Sequence, residues 1–172
     1  LVNSFSEKEL TGILKEYGQE KWAHRIARAI VTQRARHPIQ STKQLSDLVV
    51  RATPKWNRHQ RVHAATRTFQ ALRMATNQEL ENLKLALLQA VDIVENEGTI
   101  AVISFHSLED RIVKVYIRDQ SKIKDLFPDS PVLIEVVEPI LKKVGKPVFP
   151  SKEESQKNSR SRSAVLRIAE KI

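Results

Sequence analysis

Residues 99–104, Thr-Ile-Ala-Val-Ile-Ser, form a nearly continuous and partly β-branched apolar run. Most other apolar residues in the chain recur every three or four positions. Six residues are too few for a buried helix and enough for a strand. Gly98 precedes the run, and Ser107-Leu108-Glu109-Asp110 follows it as a capping-box pattern that opens a helix to about Arg118. A run without polar alternation between two helical stretches predicts a strand buried on both faces of a parallel sheet. Further strands are expected at 132–137 and 164–169, with a hairpin-like stretch at 140–148 that turns at Gly145. Helix, strand and helix followed by antiparallel strands predict one end of an α/β sheet.

The amino-terminal part has a different texture. Ser6-Glu7-Lys8-Glu9 is a capping box, followed by Leu10, Ile13, Leu14 and Tyr17 at helical spacing, with Gly18 as a stop. A second helix is expected over 19–36, with Trp22, Ile26, Ala29 and Ile30 on one side and Lys21, Arg25, Arg28, Arg34 and Arg36 on the others. Pro38 ends it. Ser41 or Thr42 opens a short helix that carries Leu45, Leu48 and Val49 inward. Residues 55–63 read as a basic loop containing Trp56, Arg58 and Arg61. Helix resumes near residue 64, and Asn77 is expected to cap a fresh helix with Leu80, Leu83, Leu87 and Val94 in a stripe.

The cations are unevenly spread. Of 29 Lys and Arg against 20 Asp and Glu, residues 1–75 hold 14 and 5, and residues 76–172 hold 15 of each. The whole net charge of +9 therefore sits in the first 75 residues. Such an asymmetry points to a polyanion, because cations that neutralise phosphates release condensed counterions; a solvated basic surface is the plainer alternative. The absence of cysteine excludes disulfides, thiolate nucleophiles and Cys-based metal sites. No apolar run approaches the roughly 20 residues of a membrane span, and the first residues lack the pattern of a secretory signal. A cytoplasmic location is expected. The first residue is Leu1 rather than an initiator Met, so the chain is expected to begin within a longer protein.

Ser104-Phe105-His106-Ser107-Leu108-Glu109-Asp110-Arg111 is the best chemical candidate, since it lies where a strand meets a helix and ligands collect at such ends. Phe105 could stack on a base or belong to the core. His106 could hydrogen-bond a base or accept a proton near neutral pH, or be a satisfied buried polar group. Ser107 and Asp110 read more readily as caps. In Asn158-Ser159-Arg160-Ser161-Arg162-Ser163, the two arginines of an extended chain would project to the same side. They suit phosphates or an acidic partner such as Glu109 or Asp110. Thr66, Arg67 and Gln70 offer further donors. Gly12, Gly18, Gly98 and Gly145 form no Gly-x-Gly loop, so no cofactor cradle is expected within these residues. His24, His37, His59, His63 and His106 show no zinc-ligand spacing.

Three stretches, taken in order, closely resemble the MraW family of ribosomal RNA methyltransferases. They are Ser6-Glu7 through Leu10 with Tyr17-Gly18 and Arg25-Ile26-Ala27; His63 through Arg73; and Ile103 through Lys114 with Asn158 through Arg167. The strings Thr-Arg-Thr-Phe-Gln-Ala-Leu-Arg and Ser-Phe-His-Ser-Leu-Glu-Asp-Arg carry most of the specificity. Two departures occur: Ala64 and Ser159 stand where the family usually has proline.

The resemblance implies the carboxy-terminal two-thirds of the family chain. The fold implied is the last part of a class I, Rossmann-like methyltransferase sheet plus most of an inserted helical domain. Residues 1–62 would be the inserted, RNA-recognising domain and 63–172 the end of the catalytic domain. The implied activity is transfer of a methyl group from S-adenosylmethionine to the exocyclic N4 amine of a cytidine in small-subunit rRNA. Ser104, Phe105 and His106 would form the base pocket. Arg25, Arg28, Arg34, Arg58, Arg61, Arg67, Arg160 and Arg162 would meet RNA, with Ser107, Glu109, Asp110 and Asn158 supporting the site. The cofactor residues would lie upstream of Leu1, and no metal is implied. The partner would be small-subunit rRNA or the ribosomal subunit. A cut sheet edge makes a homodimer possible. The rival expectation is a non-catalytic rRNA-binding fragment or remnant.

Overall fold

The computed structural model describes residues 1–57, 62–125 and 136–172. They form two compact units, Leu1–Glu79 and Leu80–Ile172.

The first unit is helical: α1 (Glu7–Glu16), α2 (Ala23–Arg34), α3 (Thr42–Ala52), a 3-10 turn at Lys55–Asn57, and α4 (Thr66–Asn77). Ser6 caps α1 by accepting from the Glu9 N–H, and Ser41 caps α3 by accepting from the Gln44 N–H. In both cases the third helical residue reaches back, satisfying donors that a bare helix end leaves open. The apolar stripes meet in a core of Leu10, Leu14, Ile26, Ile30, Val49 and their neighbours. Each fully buried aliphatic side chain contributes about 1.5–3 kcal/mol. Gly18 is more than a helix stop. A Cβ there would lie 2.7 Å from the Arg67 carbonyl oxygen and 2.8 Å from that of Leu14, so glycine lets α4 approach the end of α1.

α2 starts at Ala23 instead of residue 19, because Gln19 has a positive φ of 46° that breaks the helical path. Asn77 is the last residue of α4, and Gln78, in the left-handed region, separates it from the next helix. α4 packs with the first unit, contributing Ala71 to its core. The compact units therefore part after Glu79, whereas the expected division at 62/63 concerns the family's inserted and catalytic portions.

The second unit contains α5 (which spans Glu79–Ile93), β1 (Thr99–Ser104), α6 (Ser107–Gln120), β2 (Lys124–Asp125), β3 (Val136–Val137), β4 (Leu141–Val148), α7 (Lys152–Lys157), a 3-10 helix at Ser159–Ser163, and β5 (Val165–Lys171). Its main sheet has the order β1-β5-β4 and is antiparallel throughout. The expectation of a parallel strand buried on both faces is thus corrected. Ile100 and Ser104 are buried and Val102 is half-buried, while Thr99, Ala101 and Ile103 are exposed. Antiparallel sheets tolerate one open face. Leu87, Val91, Ile100, Val113, Ile117, Leu141 and Ala169 make the core.

The stretch 140–148 is one strand and not a hairpin. Gly145, with φ +63°, sits in an irregularity between Val144 and Val148 where the register against β5 shifts. A left-handed residue here bends the strand without reversing it. The expected strand at 132–137 falls largely outside the described residues; its end is β3. At the far end of β5, Lys171 donates from Nζ to the Val91 and Val94 carbonyls, 2.8 and 2.9 Å away, closing the carboxy-terminal end of α5. A side chain on Gly98 would collide with Val94, so this return needs glycine.

Candidate functional site

β1 delivers Ser104, Phe105 and His106 to the amino-terminal end of α6. Ser104 is 2% exposed, and its hydroxyl has no hydrogen-bond partner among the described residues. Phe105 is 55% exposed on the second unit. The helix cap is His106, correcting the expectation for Ser107, which is the first helical residue. His106 Nδ1 accepts from the Glu109 N–H at 3.3 Å. Glu109 Oε2 accepts from the Phe105 N–H at 2.8 Å and the His106 N–H at 3.3 Å. A neutral ring so engaged carries its proton on Nε2. That atom lies 3.2 Å from Glu109 Oε1, yet outside hydrogen-bonding geometry, and it is buried. The imidazole is therefore turned into its own helix end. The arrangement presents one aromatic face on a turn held by three hydrogen bonds.

Asp110 does not serve as a cap. Its carboxylate holds Arg167 of β5 in a two-pronged pair, at 2.7 and 3.0 Å. The expectation that Arg160 or Arg162 would pin the terminal strand to an acid is corrected: Arg167 does so. Sequence reading missed this role because an arginine inside a strand gives no sign of the helix it will face. Arg160 and Arg162 lie in the 3-10 helix, whose three residues per turn separate positions two apart. They are exposed but do not form the paired fork that an extended chain would give. Asn158 Oδ1 accepts from the Arg160 N–H at 3.1 Å and holds that helix's start.

In the first unit Arg25 and Arg28 are exposed on α2, and Lys21 is exposed in the turn before it. Arg34 is half-buried and donates from Nη1 to the Val2 carbonyl at 2.8 Å, so it ties down the amino-terminal segment. Arg67 is exposed, with Nη1 3.5 Å from the Gln19 carbonyl. Arg58 and Arg61 lie outside the described residues. A second group of cations, Lys114, Lys122, Lys143 and Lys146, converges between α6 and β4 and was not singled out from the sequence. The turn spacing of Lys114 and Arg118 was a readable signal; the arrival of β4 beside them was not.

Comparison with known proteins bears on these observations. The model of the MraW methylase family matches residues 1–172. A protein of Hydrogenovibrio crunogenus named "Ribosomal RNA small subunit methyltransferase H" is 59% identical over 171 residues, covering 99% of this chain and 54% of that protein. Proteins with the same name from Nitrosococcus oceani and Legionella pneumophila are 48% and 47% identical, covering 96% and 99% of this chain. Those alignments take in 52% and 55% of the relatives. The chain thus spans about half the length of the curated relatives it matches, less than the two-thirds that the resemblance suggested.

Proposed function

The chain belongs to the MraW methylase family, and from that premise we propose that the complete protein methylates the N4 amine of a cytidine in small-subunit rRNA, with S-adenosylmethionine as donor. The exposed ring of Phe105 on its braced turn is the observation that carries this reading. A cytosine amine is a poor nucleophile because its lone pair is delocalised into the ring, so the base must leave its stack and be held in line. An aromatic face can hold it, since stacking of a base on such a ring contributes about 1–3 kcal/mol. Phe105 would touch the target base, while Ser104 and His106 behind it would act as positioning residues. Arg25, Arg28 and Arg67, together with Arg160 and Arg162, would draw in the phosphate backbone, joined by Arg58 and Arg61.

The glycines of this chain serve its own packing and turns. Gly18 and Gly98 are packed against their own backbone or neighbouring side chains, Gly12 lies within α1, and Gly145 marks the bend of β4. The seat of S-adenosylmethionine is proposed for the part of the family's length that this chain does not span. A second reading, an RNA-binding piece without catalysis, is favoured by the concentration of net charge in the first 75 residues.

The deciding experiment incubates the complete protein with small-subunit rRNA and methyl-labelled S-adenosylmethionine, followed by mass spectrometry of the nucleosides. Label on cytidine N4 is expected. Label on another nucleoside rejects the substrate assignment, and bound but unlabelled RNA selects the non-catalytic reading. Calorimetric titration of this chain with S-adenosylmethionine should give no heat of binding; a measurable affinity would contradict the assignment of the donor seat.

A further inference from the structure

A cleft of about 350 Å³ opens between α6 and the β4-β5 edge, lined on α6 by residues from Lys114 onward. Six cations line it: Lys114, Arg118, Lys122, Lys143, Lys146 and Arg167. None of its described lining residues is acidic. Two of the six are already compensated, Arg118 by Asp119 at 2.7 Å and Arg167 by Asp110 at 2.7 Å. The four lysines have no ion-pair partner among the described residues. Ile117 of α6 and Pro147 of β4 add apolar side chains to the lining, while Val144 and Ile168, paired in register, alternate with Lys143 and Arg167 along their strands.

Favourable placement at the end of a helix accounts for part of this pattern, since cations near the carboxy-terminal end of α6 complement its dipole. It does not account for Lys143 and Lys146, which arrive from a different element. Four like charges around one cleft repel one another, and a bound polyanion relieves that cost. A cationic cleft with part of its lining apolar matches a nucleotide, whose phosphates would meet the lysines and whose base or ribose would meet Ile117 and Pro147. The volume is at the small end of the usual ligand range of roughly 300–1,000 Å³.

We propose that this cleft is a second RNA grip, which holds a nucleotide of a single strand whose target base lies at Phe105. The inference rests on the rRNA reading above and deepens it by assigning a strand contact to a region whose net charge by sequence is zero. The helical rise of about 1.5 Å per residue places Lys114 about 12 Å beyond His106 along α6, and Lys122 follows the end of that helix. The cleft therefore lies outside the base pocket itself. It would hold the strand in register while the target base is extruded.

The test uses the complete protein and a labelled twelve-nucleotide single-stranded oligocytidylate, titrated at several salt concentrations. Wild-type protein is compared with Lys143→Gln/Lys146→Gln and with the charge-retaining Lys143→Arg/Lys146→Arg. The glutamine pair is expected to weaken binding roughly tenfold and to flatten the log–log salt slope by about 1.4, at about 0.7 for each lost phosphate contact. The arginine pair should retain wild-type binding, and all three proteins should share one thermal midpoint. Equal affinity and slope for wild type and the glutamine pair overturns the inference while leaving the rRNA reading intact. Failure of the wild type to bind the oligonucleotide, or salt-independent binding by it, removes the rRNA reading itself. Cytidine monophosphate binding that depends on these lysines, with oligonucleotide binding unaffected, makes the cleft a free-nucleotide site and overturns the strand assignment.

Discussion

Arg167 on β5 and Asp110 in the first turn of α6 stand 57 positions apart and meet through two hydrogen bonds, Nε to Oδ1 at 2.7 Å and Nη2 to Oδ2 at 3.0 Å. Their side chains are 13% and 23% exposed, so solvent screens the pair only in part. The pair fixes α6, and with it the Phe105 turn, against the central strand of the sheet. Arg167→Ala leaves a carboxylate in a partly buried place and should destabilise the protein by about 2–4 kcal/mol. Arg167→Lys should fall between, because an ammonium cannot form the fork. Denaturant titration of both single variants and of Arg167→Ala/Asp110→Ala provides the check. Strict additivity in the double variant would show that the two residues do not act together.

His106 combines two roles that substitution can separate. His106→Ala removes the acceptor for the Glu109 N–H and should cost about 1 kcal/mol of stability. Asparagine is a good cap, so His106→Asn should recover most of that loss. If the imidazole positions the base pocket beyond its capping, kcat for methyl transfer stays low in both variants of the complete protein while KM for RNA changes little. Full recovery of kcat in His106→Asn would reduce His106 to a cap.

The exposed arginines on α2 make a prediction separate from the α6 cleft. Arg25→Gln/Arg28→Gln should lower RNA affinity and reduce the log–log salt slope by about 1.4 if each residue neutralises one phosphate of a single strand. Thermal stability should remain as in the wild type, since both side chains project into solvent. An unchanged slope would mean that this face serves solubility alone.

Glu9 gives a pH signature for α1. The Ser6 hydroxyl and the Ser6 N–H both donate to Glu9 Oε2 at 2.7 Å, and they hold its carboxyl below the ordinary value of 4.5. A carboxyl whose folded value is depressed contributes stability that is present above its unfolded value and is lost as pH falls through the folded one. The stability of the first unit should therefore decline on the acid side of about pH 4.5, and Glu9→Gln should flatten that decline. Parallel thermal melts of the two proteins across that range test it; superimposable pH profiles would show that the capping box contributes nothing in solution.

The residues differ in how much of their role is legible without coordinates. Ser6 read correctly as a cap because a capping box is closed within four positions, whereas the choice between Ser41 and Thr42 was settled in favour of Ser41 only by the structure. The family strings around Phe69 and Phe105 read correctly because they are contiguous. His106 was hidden behind Ser107, a better cap by composition, since the choice between them depended on where β1 ended. Gly145 read as a hairpin turn because a left-handed residue serves turns and bends alike, and only the β5 register distinguishes them. Ala101 and Ile103 read as buried because an apolar run does not announce which of its faces will be covered.

What the sequence determined by itself was local or cumulative: the helix starts, the apolar stripes, the family strings and the total charge. What the tertiary structure decided was which distant groups share a neighbourhood. The Arg167–Asp110 pair and the meeting of Lys114 with Lys143 and Lys146 depend on strand order, and strand order brings together residues that are remote along the chain. A charge count over residues 76–172 sums to zero because Coulomb interactions depend on separation in space, and a sum along the chain retains none of that information.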